Sequence, residues 1–388
     1  MSNAANSSYP FSAFRSQWTR PGDVMSLLLI LGGDVIQRAL AQLSGGPLTP
    51  VAFSFGWVTY SISALLAAVG ENKLIPVPDS PGLVINTRSR YARQNNSWIL
   101  GRIIRDFGYW KDPQVGEAEC TFLDLAKQRQ PAAAEGGRAP PAPRVALCVA
   151  VYEADYRKHA AVAEHDWVWY SGLVCAVVQM GISSIPWVLW GDWSIFLVTG
   201  TGILLALASG SFPQWRAEKW SCRRESTKTA ALTKGNGSKD CIVIIGGGAG
   251  LDLEDLSGGR EVDIPHTRIW TSIMATFWVA LLIAVSGLHD HTWFLLAIGV
   301  TGMVQNIIVC GAPRNPSAFG IHLRFKEAIV EDKVMKVLKE TEEKYPFVGR
   351  SLVDVFFPGG LRPDEKIYWD KAEEKAKLAE QRAKREEK

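Results

Sequence analysis

Apolar positions along this chain gather into blocks rather than alternating, and the blocks have the length of a membrane crossing. A helix needs about 20 mostly apolar residues to span the roughly 30 Å hydrocarbon core of a bilayer. Runs 51–69, 167–189, 193–212, 269–288 and 292–310 meet that length, and a sixth run, 23–43, does so while carrying Asp34, Gln37, Arg38 and Gln42. Taken in order, they predict a mainly α, integral membrane fold of six transmembrane helices in three hairpins, 23–70, 167–212 and 269–311.

The hairpin connectors 44–50, 190–192 and 289–291 contain no Lys or Arg. Basic residues instead crowd the other ends of the runs: Arg15, Arg20, Lys73, Arg157, Lys158, Arg216, Lys219, Arg223, Arg224, Arg260, Arg268, Arg314 and Arg324. Cations near span ends mark the cytosolic side. The expected topology therefore puts the segment 1–22, the insertions 71–166 and 213–268 and the tail 312–388 in the cytosol. Trp167, Trp187, Trp190, Trp193, Trp270 and Trp293 fall at run ends, where an amphipathic ring suits the headgroup layer.

Polarity changes in the insertions. A strand-like run at 82–86 and a helix around 98–107 precede the Pro/Ala/Gly-rich linker 130–143, whose composition predicts disorder. A β-rich run follows at 145–152, and in the second insertion two strand-like runs flank Gly235-Asn236-Gly237-Ser238, a hairpin turn signal. Neither insertion alone has enough strands to bury a core, so the two are expected to pair into one small cytosolic α+β domain. Residues 312–388 read as helical, ending in a charged helix rich in Glu→Lys pairs. Trp193, Thr201, Gly202 and Pro213 recur 100 residues later as Trp293, Thr301, Gly302 and Pro313, by duplication or by coincidence.

Composition narrows the function classes. The chain is 47% hydrophobic and 21% charged, with a net charge of only +3 and no basic stripe interleaved with aromatics. Nucleic acid is thereby excluded as a partner, and the lipid bilayer is the expected one. Six scattered cysteines without a CxxC pair read as reduced thiols. No cleavable leader is evident, because about twenty polar residues precede the first apolar run and Gly32, Gly33 and Asp34 interrupt it.

Four constellations could carry chemistry. Gly246-Gly247-Gly248-Ala249-Gly250 resembles a dinucleotide-binding turn, but Leu251 stands where the third glycine is needed and no room remains for the following helix and strand. A plain glycine turn is the better reading. Asp34 and Arg38 share one face of the first run, either as a polar site in the bundle or as a self-neutralising pair. His289-Asp290-His291 sits in a tight turn that disfavours convergence on one metal ion. His159, Glu164 and His165 form an acidic and imidazole cluster ahead of the third run, without a P-loop or nucleophile elbow beside it. No catalytic residue, cofactor or metal site is expected. Asn6, Asn95 and Asn236 begin N-x-S sequons that should stay unmodified in the cytosol.

The strings GDVMSLLLILGGDVIQRALAQL, PVAFSFGWVTYSISALLAAVGENKL, FPQWRAEKWSCRR, GLDLEDL and WFLLAIGVTGMVQNIIVCGAPRNP resemble an uncharacterised family of multi-pass membrane proteins of filamentous fungi. The resemblance runs along most of the chain and implies no residue roles. The function expected from the residues is a non-catalytic accessory or scaffold protein whose cytosolic domain docks a protein partner. The alternative is an enzyme or carrier for a lipidic small molecule, with Asp34, Arg38, His159 and His165 as polar contacts.

Overall fold

The structure, a computed structural model, describes residues 32–70, 73–128, 142–288 and 290–386. Helices α1 (Gly33–Leu43) and α2 (Trp57–Gly70) precede strands β1 (Leu83–Asn86) and β2 (Ala92–Gln94) and helices α3 (Trp98–Arg105) and α4 (Pro113–Gln128). Strand β3 (Leu147–Ala154) leads to α5 (Trp167–Trp190), α6 (Ser194–Gly210) and the short α7 (Pro213–Lys219). Strands β4 (Thr229–Thr233) and β5 (Asp240–Ile245) come before α8 (Thr267–Ser286) and α9 (Thr292–Gly311). The chain ends with β6 (Leu323–Glu331), α10 (Val334–Lys344), α11 (Val348–Phe356) and α12 (Pro363–Glu386).

These elements form two compact units. One, helical, takes Met1–Pro76, Ala163–Trp220 and Glu261–Ala312; the other, built on a sheet, takes Val77–Val162, Ser221–Arg260 and Pro313–Lys388.

Among the described residues of the helical unit, four helices are long and apolar enough to cross a membrane: α5, α6 with α7, α8 and α9. Their outward faces are apolar, with Val188 79%, Leu204 67% and Ile283 66% exposed, while Gln179, Thr199 and Asn306 are fully buried. Water-soluble helices invert that order, and exposed apolar faces of this extent call for lipid or protein cover. Trp190 stacks on His291 at 4.5 Å, joining the α5–α6 and α8–α9 turns at one end of the bundle.

The expected first hairpin is not built as two membrane-length helices. Residues 51–54 belong to no helix or strand, Phe55 and Gly56 form a turn, and α2 has only 14 residues. The 44–50 connector also lies at the bundle end opposite the other two turns. There Gly45 packs on Trp220, and the Trp169 indole donates to Leu48 O at 3.3 Å. The chain then runs inward, non-helical and buried, to Gly56, and α2 brings it back to the same end, where Arg268 Nε donates to Ala68 O. Of the predicted first run, 23–31 lies outside the described residues.

The sheet unit holds six strands in the order β2-β1-β4-β5-β3-β6. β3 and β5 pair in parallel, from Cys148↔Asp240 to Glu153↔Ile245, and the other neighbours are antiparallel. Burial on both faces explains why β3 reads as an unbroken apolar run. Ile85, Val149, Val151 and Val243 pack against Leu338, Leu352, Phe356 and Trp369 on one side of the sheet. The two insertions do share this sheet, as expected, but a strand from the C-terminal region completes it. Residues 323–331, expected to be helical, form edge strand β6; over its first four residues the half-buried Leu323 and Phe325 alternate with the exposed Arg324 and Lys326. Period-two alternation with charges pointing outward is the usual guard of a sheet edge. The predicted linker falls almost wholly on 129–141, outside the described residues.

Candidate functional site

Two places concentrate polar chemistry, one in each unit. In the helical unit, the non-helical segment 47–56 occupies the space between helices. Backbone groups without partners in an apolar interior cost about 1–3 kcal/mol each, so such a segment persists only where side chains satisfy it. Asn306 brackets Ala52, accepting from its N–H at 3.2 Å and donating to its carbonyl at 3.0 Å. Gln179 Nε2 donates to Phe53 O at 2.7 Å and to Ile298 O at 3.0 Å. Close approach is made by missing side chains: a Cβ on Gly302 or Gly172 would overlap the backbone oxygens of Phe53 and Pro50, and one on Gly202 would overlap the Phe53 ring. Gly202 and Gly302, the positions repeated at an offset of 100 residues, thus flank the same phenylalanine. Trp278 stacks on Trp57 at 5.2 Å and on Phe53 at 6.2 Å, closing the remaining side.

Adjacent residues of α7 hold the two ends of this element. Buried Lys219 donates from Nζ to Ala41 O at 3.1 Å, to Gln42 O at 3.4 Å and to Ser44 O, carbonyls at and just past the C-terminus of α1. A cation is favoured there by the helix dipole as well as by the hydrogen bonds. Glu218 accepts from Leu74 N at 2.9 Å and Ile75 N at 2.8 Å, just past α2, and from Gln214 Nε2 at 2.6 Å.

In the sheet unit, a cleft of about 240 Å3 opens at the carboxyl end of β3, lined by Trp110, Asp112, Tyr152, Asp155, Lys158 and His322 among others. Crevices beyond the carboxyl ends of parallel strands are where α/β sheets most often take ligands. Trp110, Tyr152 and Phe325 form a continuous aromatic wall, with centroids 5.2 Å and 5.5 Å apart. Tyr152 Oη accepts from Asp112 N at 3.2 Å, and burial above all pushes its hydroxyl up to about 12, so the proton stays on. His322 Nε2 donates to Val162 O at 3.0 Å.

The glycine turn borders a second hollow of about 20 Å3, room for little more than a water. Its amides are spent on the protein: Gly248 N donates to Ser226 O, and Ala249 N and Gly250 N to Gly246 O, each at 3.0 Å. The helix that follows, Leu253–Ser257, has five residues and is capped by Asp252. Neither the free amides nor the long helix of a dinucleotide site is present.

Other predicted residues are scattered. Asp34 and Arg38 are both exposed on α1, and no hydrogen bond or ion pair joins them. His165 is exposed and stacks on Trp169 at 3.9 Å in the helical unit, where Glu164 also lies exposed. His159 belongs to the sheet unit, so the juxtamembrane cluster is divided between the two. His291 stacks on Trp190, and residue 289 lies outside the described residues.

One grouping went unnoticed because its members are far apart in the chain. Ligand atoms of Glu119, Cys148 and Asp240 lie within 4.8 Å of one another. Lys111 Nζ stands 2.9 Å from Glu119 and supplies the balancing charge. Burial, then the neighbouring Glu119 and Asp240, push the Cys148 thiol up to about 12, and burial raises Asp240 as well. The result is a protonated thiol inside an ion-paired cluster.

No family model, no curated protein and no solved structure matches this chain.

Proposed function

We propose that the chain is a multi-pass membrane protein whose sheet unit faces the cytosol and docks a helical segment of a cytosolic protein. In this reading α5, α6, α8 and α9 cross the bilayer, and the segment 44–70 enters and leaves from the cytosolic side. Support for the orientation comes from the basic residues beside the α7 end of the bundle, against Lys- and Arg-free turns at the other.

The observation that carries the docking reading is a groove of about 350 Å3 between α12 and the α10–α11 turn. Ala372, Ala376 and Ala379 line its floor, with Glu343 on one rim and Lys371 and Lys375 on the other. An alanine floor lets a second helix approach closely, and oppositely charged rims fix its direction. The occupant that fits is an amphipathic helix with small apolar residues inward, basic residues toward Glu343 and acidic residues toward the lysines. α12 is anchored by contacts outside the groove: Trp369 is buried in the core, and Glu373 and Glu380 pair with Arg90 and Arg88.

A photo-crosslinking residue at Ala379, compared in cells with one at exposed Tyr109, tests this. The reading expects one adduct of defined mass from position 379 alone, lost when Ala372→Trp fills the groove. No adduct, or the same adducts from both positions, contradicts docking; an adduct of twice the chain's mass replaces the partner with a second copy.

The alternative, a carrier or enzyme working on a lipidic molecule through Asp34 and Arg38, draws less support, because those side chains face outward. The cleft beside β3 favours a different small-molecule role.

A further inference from the structure

We propose that the cleft at the carboxyl end of β3 is a binding site for a small molecule that carries a protonated amine on a flat apolar body.

Three features of the cleft converge on that chemistry. Its volume, about 240 Å3, is far beyond what one water fills and fits a compact ligand. Its walls combine an aromatic surface with two carboxylates, Asp112 and Asp155, against one lysine, Lys158. A desolvated ammonium gains from both an aromatic face and a carboxylate, by about 0.5–2 kcal/mol from the ring alone.

Each carboxylate also has capacity to spare. Asp112 accepts from Gln114 N at 3.0 Å and Asp155 from Arg157 N at 3.0 Å, both through Oδ1 and both within local turns. A carboxylate offers about four acceptor positions on its two oxygens, so these turn contacts leave room for a ligand's donors. The Tyr152 hydroxyl, which receives the Asp112 amide, keeps a proton to donate to a hydroxyl or ether oxygen on the same ligand.

Anionic ligands are disfavoured by the same two carboxylates, and purely apolar ones would leave them desolvated without a partner. The fold supplies a rigid frame. Tyr152 comes from a strand pinned on both sides, Asp155 follows that strand directly with its N–H bonded to His322 O at 3.0 Å, and the Trp110 indole is fixed by its bond to Ile103 O at 2.9 Å. This inference concerns the sheet unit alone and does not depend on the docking groove.

The test uses the full chain in detergent with phenethylamine as probe and phenylacetate as its anionic counterpart, read by saturation-transfer NMR and by thermal unfolding. Asp112→Asn and Asp155→Asn preserve the turn-capping oxygens while removing the charges. Wild type is expected to bind phenethylamine and not phenylacetate, and the double Asn variant to bind the amine at least about tenfold more weakly with an unchanged ligand-free melting temperature. Equal binding of both probes, no binding of the amine, or undiminished binding by the double variant would overturn the assignment. Should the double variant melt lower than wild type, Lys158→Glu serves instead: the added carboxylate must strengthen amine binding, and a weakening would overturn the proposal equally.

Discussion

The two units of this protein solve burial in opposite ways. The sheet unit hides Val149, Val151, Val243, Leu338 and Leu352 and keeps ion pairs such as Glu153–Arg324 and Glu327–Lys344 near its surface, with Arg102, buried and paired to Asp79, as an exception. The helical unit exposes Val188, Leu204 and Ile283 and hides Gln179, Asn306, Glu218 and Lys219. Water explains the first pattern through the hydrophobic effect. In the second, an apolar solvent removes that driving force, so packing of small residues and internal hydrogen bonds must hold the helices together. A non-helical segment inside the bundle is the extreme case. Its backbone is met by side-chain amides and closely approached by glycines of the surrounding helices.

Changes to the interior should therefore hurt the two units through different physics. The largest effect is expected from Gly302→Val, because its side chain would collide with the Phe53 carbonyl, a backbone atom that cannot swing aside. Loss of more than about 3 kcal/mol, seen as no monodisperse protein after detergent extraction, is the expected outcome. Gly181→Ala, with nothing within 4 Å of the new methyl, should leave extraction unchanged.

Next comes Lys219→Met, which keeps the stem but leaves carbonyls of α1 without their donor. It should lower stability by about 1–3 kcal/mol in thermal unfolding. Were it neutral, the polar interior would be incidental and the contrast between units would weaken.

In the sheet unit, rim charges matter less and their effect depends on pH. The Lys228 ammonium bonded to Glu254 holds that carboxyl below its usual range, as Arg223 does for Asp255. A depressed folded pKa contributes stability above the ordinary carboxylate value, and that contribution is lost as pH falls through the folded value. Glu254→Gln should therefore flatten the loss of stability between about pH 5 and 3 by under about 1 kcal/mol, followed by thermal unfolding.

The smallest perturbation is chemical. Cys120 is exposed, while Cys148 is buried with its thiol raised to about 12. At neutral pH a maleimide should modify Cys120 in minutes and Cys148 only after denaturation, as mass spectrometry of the peptides would report.

Length and apolarity made the four long helices readable, since a run that fills a bilayer has few other uses. The β4–β5 hairpin was readable from its glycine turn, and the shared sheet from the shortage of strands in each insertion. Segment 51–56 was not, because Val51, Ala52, Phe53 and Phe55 look the same in a lipid-facing helix and in a non-helical stretch threaded through a bundle. Only the partners distinguish them, and Asn306 and Gln179 lie more than a hundred residues away. Strand β6 was missed where charges at 324, 326 and 327 suited a helical face as well as an edge strand. The β3 cleft had no local motif, since its walls come from three separate stretches of chain. Of the sequons, Asn95 is 2% exposed with its amide bonded to Ser97 O, so a missing sugar there reports burial; exposed Asn236 is the informative one.

Single cysteines at Pro47, Gly191 and Asn236 in a cysteine-free chain, labelled in sealed vesicles with a maleimide that cannot cross the bilayer, address the doubled-back path most directly. The account predicts that positions 47 and 236 react from one side and position 191 from the other. Reaction of position 47 from the side of 191 would mean that the chain crosses at 44–56, and the account of this element would be wrong.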